Sequence, residues 1–158
     1  MGNRGNKENK TYIEKLSNVG LDDNIVADSE SSYNAGKDFT TLQAWRKARK
    51  VKLFFYNSVL QKLPEQEKYG LNTQIRRSAV STTANIAEGY GRYHYQEGIQ
   101  FYRISRGSLY ELKDHLISCL DLTFISKNKF EEGAQLIEEA KITLNGYIRY
   151  VKRQKNKS

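Results

Sequence analysis

From Leu42 onward, apolar residues recur at every third or fourth position, and the recurrence is interrupted at a few points that divide the chain into four helical stretches. In the first, Leu42, Trp45, Ala48, Val51 or Lys52, Phe55 and Val59 share a face. Thr40 or Thr41 is the expected cap, and the stretch ends before Pro64, the only proline, with Lys62 near its C-terminus. The second follows Gly70. Leu71, Ile75, Ala79, Thr82 or Thr83, and Ile86 form its stripe, and Gly89 is the expected stop. The third runs from about Tyr95 to Phe124, where Tyr102, Ser105, Leu109, Leu112, Leu116 and Cys119 make a heptad-like seam. Gly107 and Ser108 beside it are small enough to admit a neighbouring helix closely. The fourth runs from about Phe130 to Gln154, with Phe130, Ala134, Ile137, Ala140 or Lys141, Leu144, Ile148 and Val151 as its stripe.

No repeat and no strand pattern competes with this reading. Four amphipathic helices on short connections predict an all-α fold, an antiparallel up-down-up-down four-helix bundle over residues 39–154. Residues 1–38 are polar and without sustained periodicity, so a flexible N-terminal tail is expected there. One short helical turn near Tyr12–Val19 is the exception, because Ile13, Leu16 and Val19 share a face. Residues 155–158 form a basic C-terminal tail.

Composition narrows the function classes. The single cysteine, Cys119, excludes an intrachain disulfide and a multi-cysteine zinc site. The first residues lack the apolar segment of a secretory signal. Asn6 stands where a myristoylation signal needs Ser or Thr. No apolar run approaches the ~18–20 residues that span a membrane. A soluble, cytoplasmic chain without a membrane partner is the expectation. The net charge of +8 is uneven: residues 1–38 carry −2, and residues 39–158 carry +10. A basic folded part is the electrostatic footprint of a polyanion binder, although plain solubility yields the same composition.

The residues around the second and third stretches carry a resemblance. PEQEKYGLNTQIRRSAVSTTANIAEGYGR, followed by FYRISRGSLYELKDHL, presents Pro64, Tyr69-Gly70-Leu71, Gln74, Arg76-Arg77, Asn85-Ile86-Ala87-Glu88-Gly89, and Gly107-Ser108-Leu109 with Glu111. Phe39, Leu42 and Trp45 precede them. In order and spacing over about residues 39–151, the chain resembles the 23S ribosomal RNA intervening-sequence protein family of four-helix bundle proteins. Ser105 stands where the family usually has Ala, a mild departure. The resemblance implies a ring-like homopentamer encoded within an intervening sequence of a ribosomal RNA gene. A related branch is similar to the accessory variability proteins of diversity-generating retroelements, basic pentamers that bind a reverse transcriptase and its template RNA or cDNA.

The candidate nucleic-acid-binding residues are Arg46, Arg49, Lys50, Arg76, Arg77, Arg92, Arg103 and Arg106. Phosphate binding needs several cations acting together, and arginine's donor fork suits it. The competing reading is a set of solvated faces paired between subunits with Glu88, Glu97, Glu111 or Asp114. Tyr90, Tyr93, Tyr95 and Tyr102 lie among these bases; they suit stacking on unpaired bases, and in an assembling family they suit an interface better. Asn85 and Glu88 are expected to hydrogen-bond the backbone of the tight link.

No catalytic, metal or cofactor constellation is present. Gly89-Tyr90-Gly91-Arg92 is too short for a phosphate loop, and His94 and His115 lack further ligands at metal spacing. Ser105, Ser108 and Cys119 have only His115 within reach as a base, two turns from Ser108. The expected function is a non-enzymatic, self-associating bundle that binds RNA or DNA. The alternatives are an accessory factor docking on a reverse transcriptase, or a platform for protein partners alone. If the acidic tail competes for the basic face, removing residues 1–38 tightens binding. Charge reversal at Arg46, Lys50, Arg76 or Arg77 is expected to weaken nucleic-acid binding, read by a salt-titrated binding assay, without unfolding the bundle.

Overall fold

The structure is a computed structural model that describes residues 38–92 and 94–157. Of the tail expected over residues 1–38, all but Asp38 lies outside the described residues, as do its helical turn near Tyr12–Val19 and its competition with the basic face. Four long helices carry the fold, and no strand occurs among the described residues: α1 (Gln43–Phe54), α2 (Leu71–Gly91), α3 (Tyr95–Asp121) and α4 (Lys127–Lys155).

The heptad-like seam of α3 is buried throughout, from Tyr102 to Cys119. It meets Ile75, Ala79 and Ile86 of α2, Val51 and Phe55 from the first stretch, and Ile137, Leu144 and Val151 of α4 in one core. The alternatives left open by periodicity resolve simply. Val51, not Lys52, is the core residue, whereas Thr82 and Thr83 are both buried, as are Ala140 and Lys141. Lys141 tolerates burial because its ammonium reaches Glu138 at 3.0 Å and lies 4.2 Å from the centroid of the Tyr110 ring.

Helix ends depart from expectation in five places, the first being α1 itself, which ends at Phe54 and reaches Pro64 only through a π turn, Phe55–Val59, and a 3-10 turn, Leu60–Lys62. Thr40 and Thr41 do not cap α1; they lie in a 3-10 turn, Phe39–Thr41, capped by Asp38, whose Oδ1 accepts from the Thr40 N–H at 2.9 Å. Leu42 follows in extended backbone and opens α1 without a side-chain cap. Gly89 does not stop α2, which continues to Gly91. α3 stops at Asp121 because Thr123 turns left-handed, with φ 60°, and the Phe124 N–H closes back on the Cys119 carbonyl at 2.8 Å. α4 starts earlier than Phe130, because Ser126 Oγ accepts from the Lys129 N–H at 3.2 Å.

Close helix approach occurs, but not at Gly107, where an added Cβ would meet nothing within 4 Å. It occurs at Gly89, where a Cβ would sit 2.6 Å from Tyr102 Cε1 and 2.9 Å from the Gly98 carbonyl oxygen. Gly133 is equally tight, with a Cβ 2.5 Å from Phe54 Cε1 and 2.9 Å from Leu116 Cδ2. Between these points hydroxyls join α2 to α3. Ser105 Oγ donates to the Thr82 carbonyl at 2.6 Å, Ser108 Oγ lies 2.7 Å from Ser81 Oγ, and Ser78 Oγ donates to Glu111 Oε2 at 2.7 Å.

In every contacting pair, residue numbers rise along one helix as they fall along the other. Ser78, Thr82 and Gly89 meet Glu111, Ser105 and Gly98; Tyr102 and Gln96 meet Tyr147 and Lys155; Lys47 and Phe54 meet Glu139 and Gly133. The start of α1, the last turns of α2 and α4 and the first turns of α3 therefore share one end of the bundle.

Gly89→Ala and Gly133→Ala are each expected to lower stability by about 1–3 kcal/mol in urea denaturation, since the added methyl meets backbone or ring atoms. Gly107→Ala is expected to raise it by about 0.5–1 kcal/mol through helix propensity.

Candidate nucleic-acid interface

On α1, Ala44, Ala48 and Val51 face the core, so Arg46, Arg49 and Lys50 project from the opposite side and all three are exposed. Arg46 Nε donates to the Thr40 carbonyl at 2.9 Å, which anchors the guanidinium to the preceding turn. The flanking lysines lean away. Lys47 Nζ reaches Glu139 on α4 at 2.7 Å, and Lys52 Nζ donates to Thr83 Oγ1 on α2 at 3.1 Å. The hydrogen bond from Lys47, helped by the charges of Lys47 and Lys50, holds the Glu139 carboxyl below the usual glutamate range. Arg49 and Lys50 have no ion-pair partner among the described residues.

At the α2–α3 junction, Arg92 pairs with Glu88 and lies 4.6 Å from the centroid of the Phe101 ring. Glu88 is thus engaged with a side chain rather than with the link backbone. Asn85 bonds one turn back, to the carbonyl and hydroxyl of Ser81 at 2.9 Å each. Neither residue plays the expected part in the link. Arg103 is exposed, with Nη1 3.4 Å from Gln100 Oε1. Arg106 is half-buried and its Nη1 donates to Asn145 Oδ1 of α4 at 3.1 Å, so it joins two helices as well as carrying charge.

The last turns of α4 complete this end. Arg149, Lys152, Arg153 and Lys155 are exposed there, and Lys155 Nζ donates to Gln96 Oε1 of α3 at 2.8 Å. Lys152, Arg153 and Lys155 stand in the last turn of α4, where cations complement the helix dipole. Only the fold shows them beside the α1 and α3 arginines.

The resulting charge distribution is strongly polar along the bundle. The end made by residues 38–50, 84–106 and 142–157 holds twelve Lys or Arg against Asp38, Glu88 and Glu97. The remaining described residues hold nine bases and nine acids. Ion pairs gather in that balanced half, among them Lys68–Glu65, Lys129–Glu132 and Lys141–Glu138. With Glu139, which pairs with Lys47, counted at this end, it holds twelve bases against four acids, so most of the positive excess of the described residues lies there.

Of the eight candidate residues, Arg46, Arg49, Lys50, Arg92, Arg103 and Arg106 come together at this end. Arg76 and Arg77 lie in the balanced half. Arg76 sits 5.1 Å from the centroid of the Tyr56 ring, and Tyr56 is six residues beyond Lys50, about 9 Å along a helix.

The tyrosines divide differently. Tyr102 is buried and packs edge-on against Tyr147 at 5.0 Å, which removes it from base stacking. Burial, reinforced by Tyr102, pushes the Tyr147 hydroxyl far above the usual phenol range. Tyr90 and Tyr95 are half-buried against the core, and burial also raises Tyr90. Tyr93 lies outside the described residues.

The candidate nucleophiles are occupied or enclosed. Ser108 Oγ is bonded to Ser81 Oγ and the Ile104 carbonyl, while His115 Nδ1 faces Asp114 at 3.9 Å. Cys119 is fully buried and its thiol is pushed up to about 11, by desolvation first and the charge of Glu67 second. Among the described residues no group of three or more His, Cys, Asp or Glu is placed to hold a metal ion, and no helix is long and apolar enough to cross a membrane.

Compared with protein families, residues 40–146 match the 23S rRNA-intervening sequence protein family. No curated protein matches the chain.

Because its neutral thiol is sealed in the core, Cys119 is expected to resist iodoacetamide at pH 8 in the native protein and to react fully in denaturant, as read by intact mass. Rapid native labelling would contradict this placement.

Proposed function

Because the chain belongs to the 23S rRNA-intervening sequence protein family, we propose that it is a non-catalytic, self-associating helical bundle whose basic end binds RNA or DNA in the cytoplasm. The observation that carries the reading is the charge polarity: nearly all of the positive excess gathers on one end, while the other half is balanced. Ordinary solubility needs net charge but not its segregation. Cations from α1, α3 and α4 form a broad cap there, suited to phosphates because each neutralised phosphate releases a counterion.

The reversed pairing of residue numbers between neighbouring helices supports an up-down-up-down topology. Self-association, as the ring-like homopentamer that the family resemblance implies, is supported by apolar side chains left outside the core. Val80 of α2 is 47% exposed, and Ile104 and Tyr110 of α3 are 51% and 54% exposed. Such an assembly would multiply the basic end and raise the effective concentration of cations along a long polyanion. The same apolar residues favour a second reading, an accessory factor docking on a reverse transcriptase, in which they meet that enzyme rather than another copy.

A salt titration of binding to structured RNA, single-stranded DNA and duplex DNA, with solution mass measured on the same sample, tests the proposal. Binding should weaken steeply with salt. Reversing Arg49 and Lys50, or Lys152 and Arg153, to Glu should weaken it by about tenfold or more at ~0.1 M salt with an unchanged thermal midpoint. Absence of binding at low salt would overturn the nucleic-acid reading, and a monomer at all concentrations would overturn the assembly.

A further inference from the structure

The connection from α1 to α2 holds a feature separate from the basic end. α1 does not finish as a regular helix. A π turn over Phe55–Val59 carries Phe55 and Val59 into the core and leaves Tyr56 half-buried at its side. Such wide turns are uncommon and concentrate at functional positions. Here the turn sets the Tyr56 ring against Arg76, whose guanidinium lies 5.1 Å from the ring centroid. Asn72 Oδ1 accepts from Arg76 Nε at 2.8 Å. The arginine is thus steadied from two sides, and neither contact is a hydrogen bond from its terminal Nη groups.

Beside Arg76 opens a pocket of about 460 Å³ with an apolar wall of Leu63 and Pro64. Tyr69 lines it too and is 87% exposed, with the Lys68 ammonium 5.7 Å from its ring centroid. Glu65 also lines the pocket, and Lys68 compensates its charge at 3.1 Å. An aromatic face open to solvent, an oriented guanidinium and a small partly apolar recess are the parts needed to hold one unstacked base and its phosphate.

We infer that this pocket binds a single unpaired nucleotide, with the base stacked on Tyr69 and the phosphate held by Arg76. A duplex keeps its bases stacked inside and cannot supply this ligand, so the pocket selects looped or single-stranded nucleic acid. Arg76, which stands apart from the cations of the basic end, thereby acquires a site of its own.

The test titrates the full chain with adenosine 5′-monophosphate in about 0.5 M salt, where long-range polyelectrolyte attraction is screened, and follows the tyrosine ring resonances. Saturable shifts of Tyr69 are expected. Tyr69→Ala should weaken binding roughly tenfold, whereas Tyr69→Phe, which keeps the stacking face, should stay within about twofold. Arg76→Gln should weaken binding of the monophosphate and leave that of adenosine unchanged. Arg149→Gln should leave both unchanged, which separates the pocket from the basic end. Failure of the native chain to bind the nucleotide, or equal binding by Tyr69→Ala, overturns the inference even if duplex binding at the basic end persists. Loss of duplex binding with nucleotide binding intact would sink the basic-end reading and leave the pocket standing.

Discussion

Where α2 meets α3, the Gly89 carbonyl oxygen lies 2.8 Å from the position that a Cβ on Gly98 would occupy, and Tyr102 fills the remaining space. Two backbones this close fix the register of the pair, and the hydroxyl contacts from Ser78 to Ser108 hold it over the next three turns. The placement of α4 depends on that register. Tyr102, once placed, seats Tyr147, and Arg106 reaches Asn145, so α4 is aligned through α3. Small residues let the helices approach, and the hydroxyls exposed by that closeness find partners in each other and in the backbone instead of remaining desolvated and unpaired.

The same alignment decides the electrostatics. Neighbouring helices reverse direction, so the basic start of α1 and the basic finish of α4 arrive at the same end, joined by the arginines of the α2–α3 junction. Like charges gathered in this way oppose compactness, and the bundle limits the cost by keeping most of them solvated. Others are tied down: Arg106 to Asn145, Lys47 to Glu139, and Arg92 to Glu88 and the Phe101 face. In the other half, acids and bases pair within a turn or two of helix, which leaves little net field.

Residue spacing alone makes much of the fold legible. The α3 seam is the clearest case, because six apolar or small residues on alternating spacings of three and four have one reading. Gly107 and Gly89 mislead for a shared reason. Periodicity places a residue on a face but does not tell which neighbour, if any, comes close to it, so the open glycine looks tight and the tight one looks like a helix stop. The candidate cations are found by type and local spacing. Their division between two halves needs the reversal of helix directions, which also brings Arg149 and Lys152 in from the far end of the sequence. Tyr102 carries two readings, a seam position and a neighbour of the arginines, and the seam position decides its burial. Pro64, Tyr69 and Arg76 are legible as motif residues, but their convergence on one pocket is not, since periodicity does not report how the α1–α2 connection folds back on α2.

A bundle with most of its excess charge at one end possesses a large permanent dipole moment along its helices. Were a polyanion its partner, as proposed, the field would exert a torque as well as an attraction and would turn the α2–α3 junction and the α4 terminus forward before contact. Orientational search is ordinarily what slows the docking of two specific surfaces. Under that proposal part of the search would be completed during approach, so segregation of charge along the bundle would govern how quickly and in what pose the protein arrives, over and above how tightly it holds.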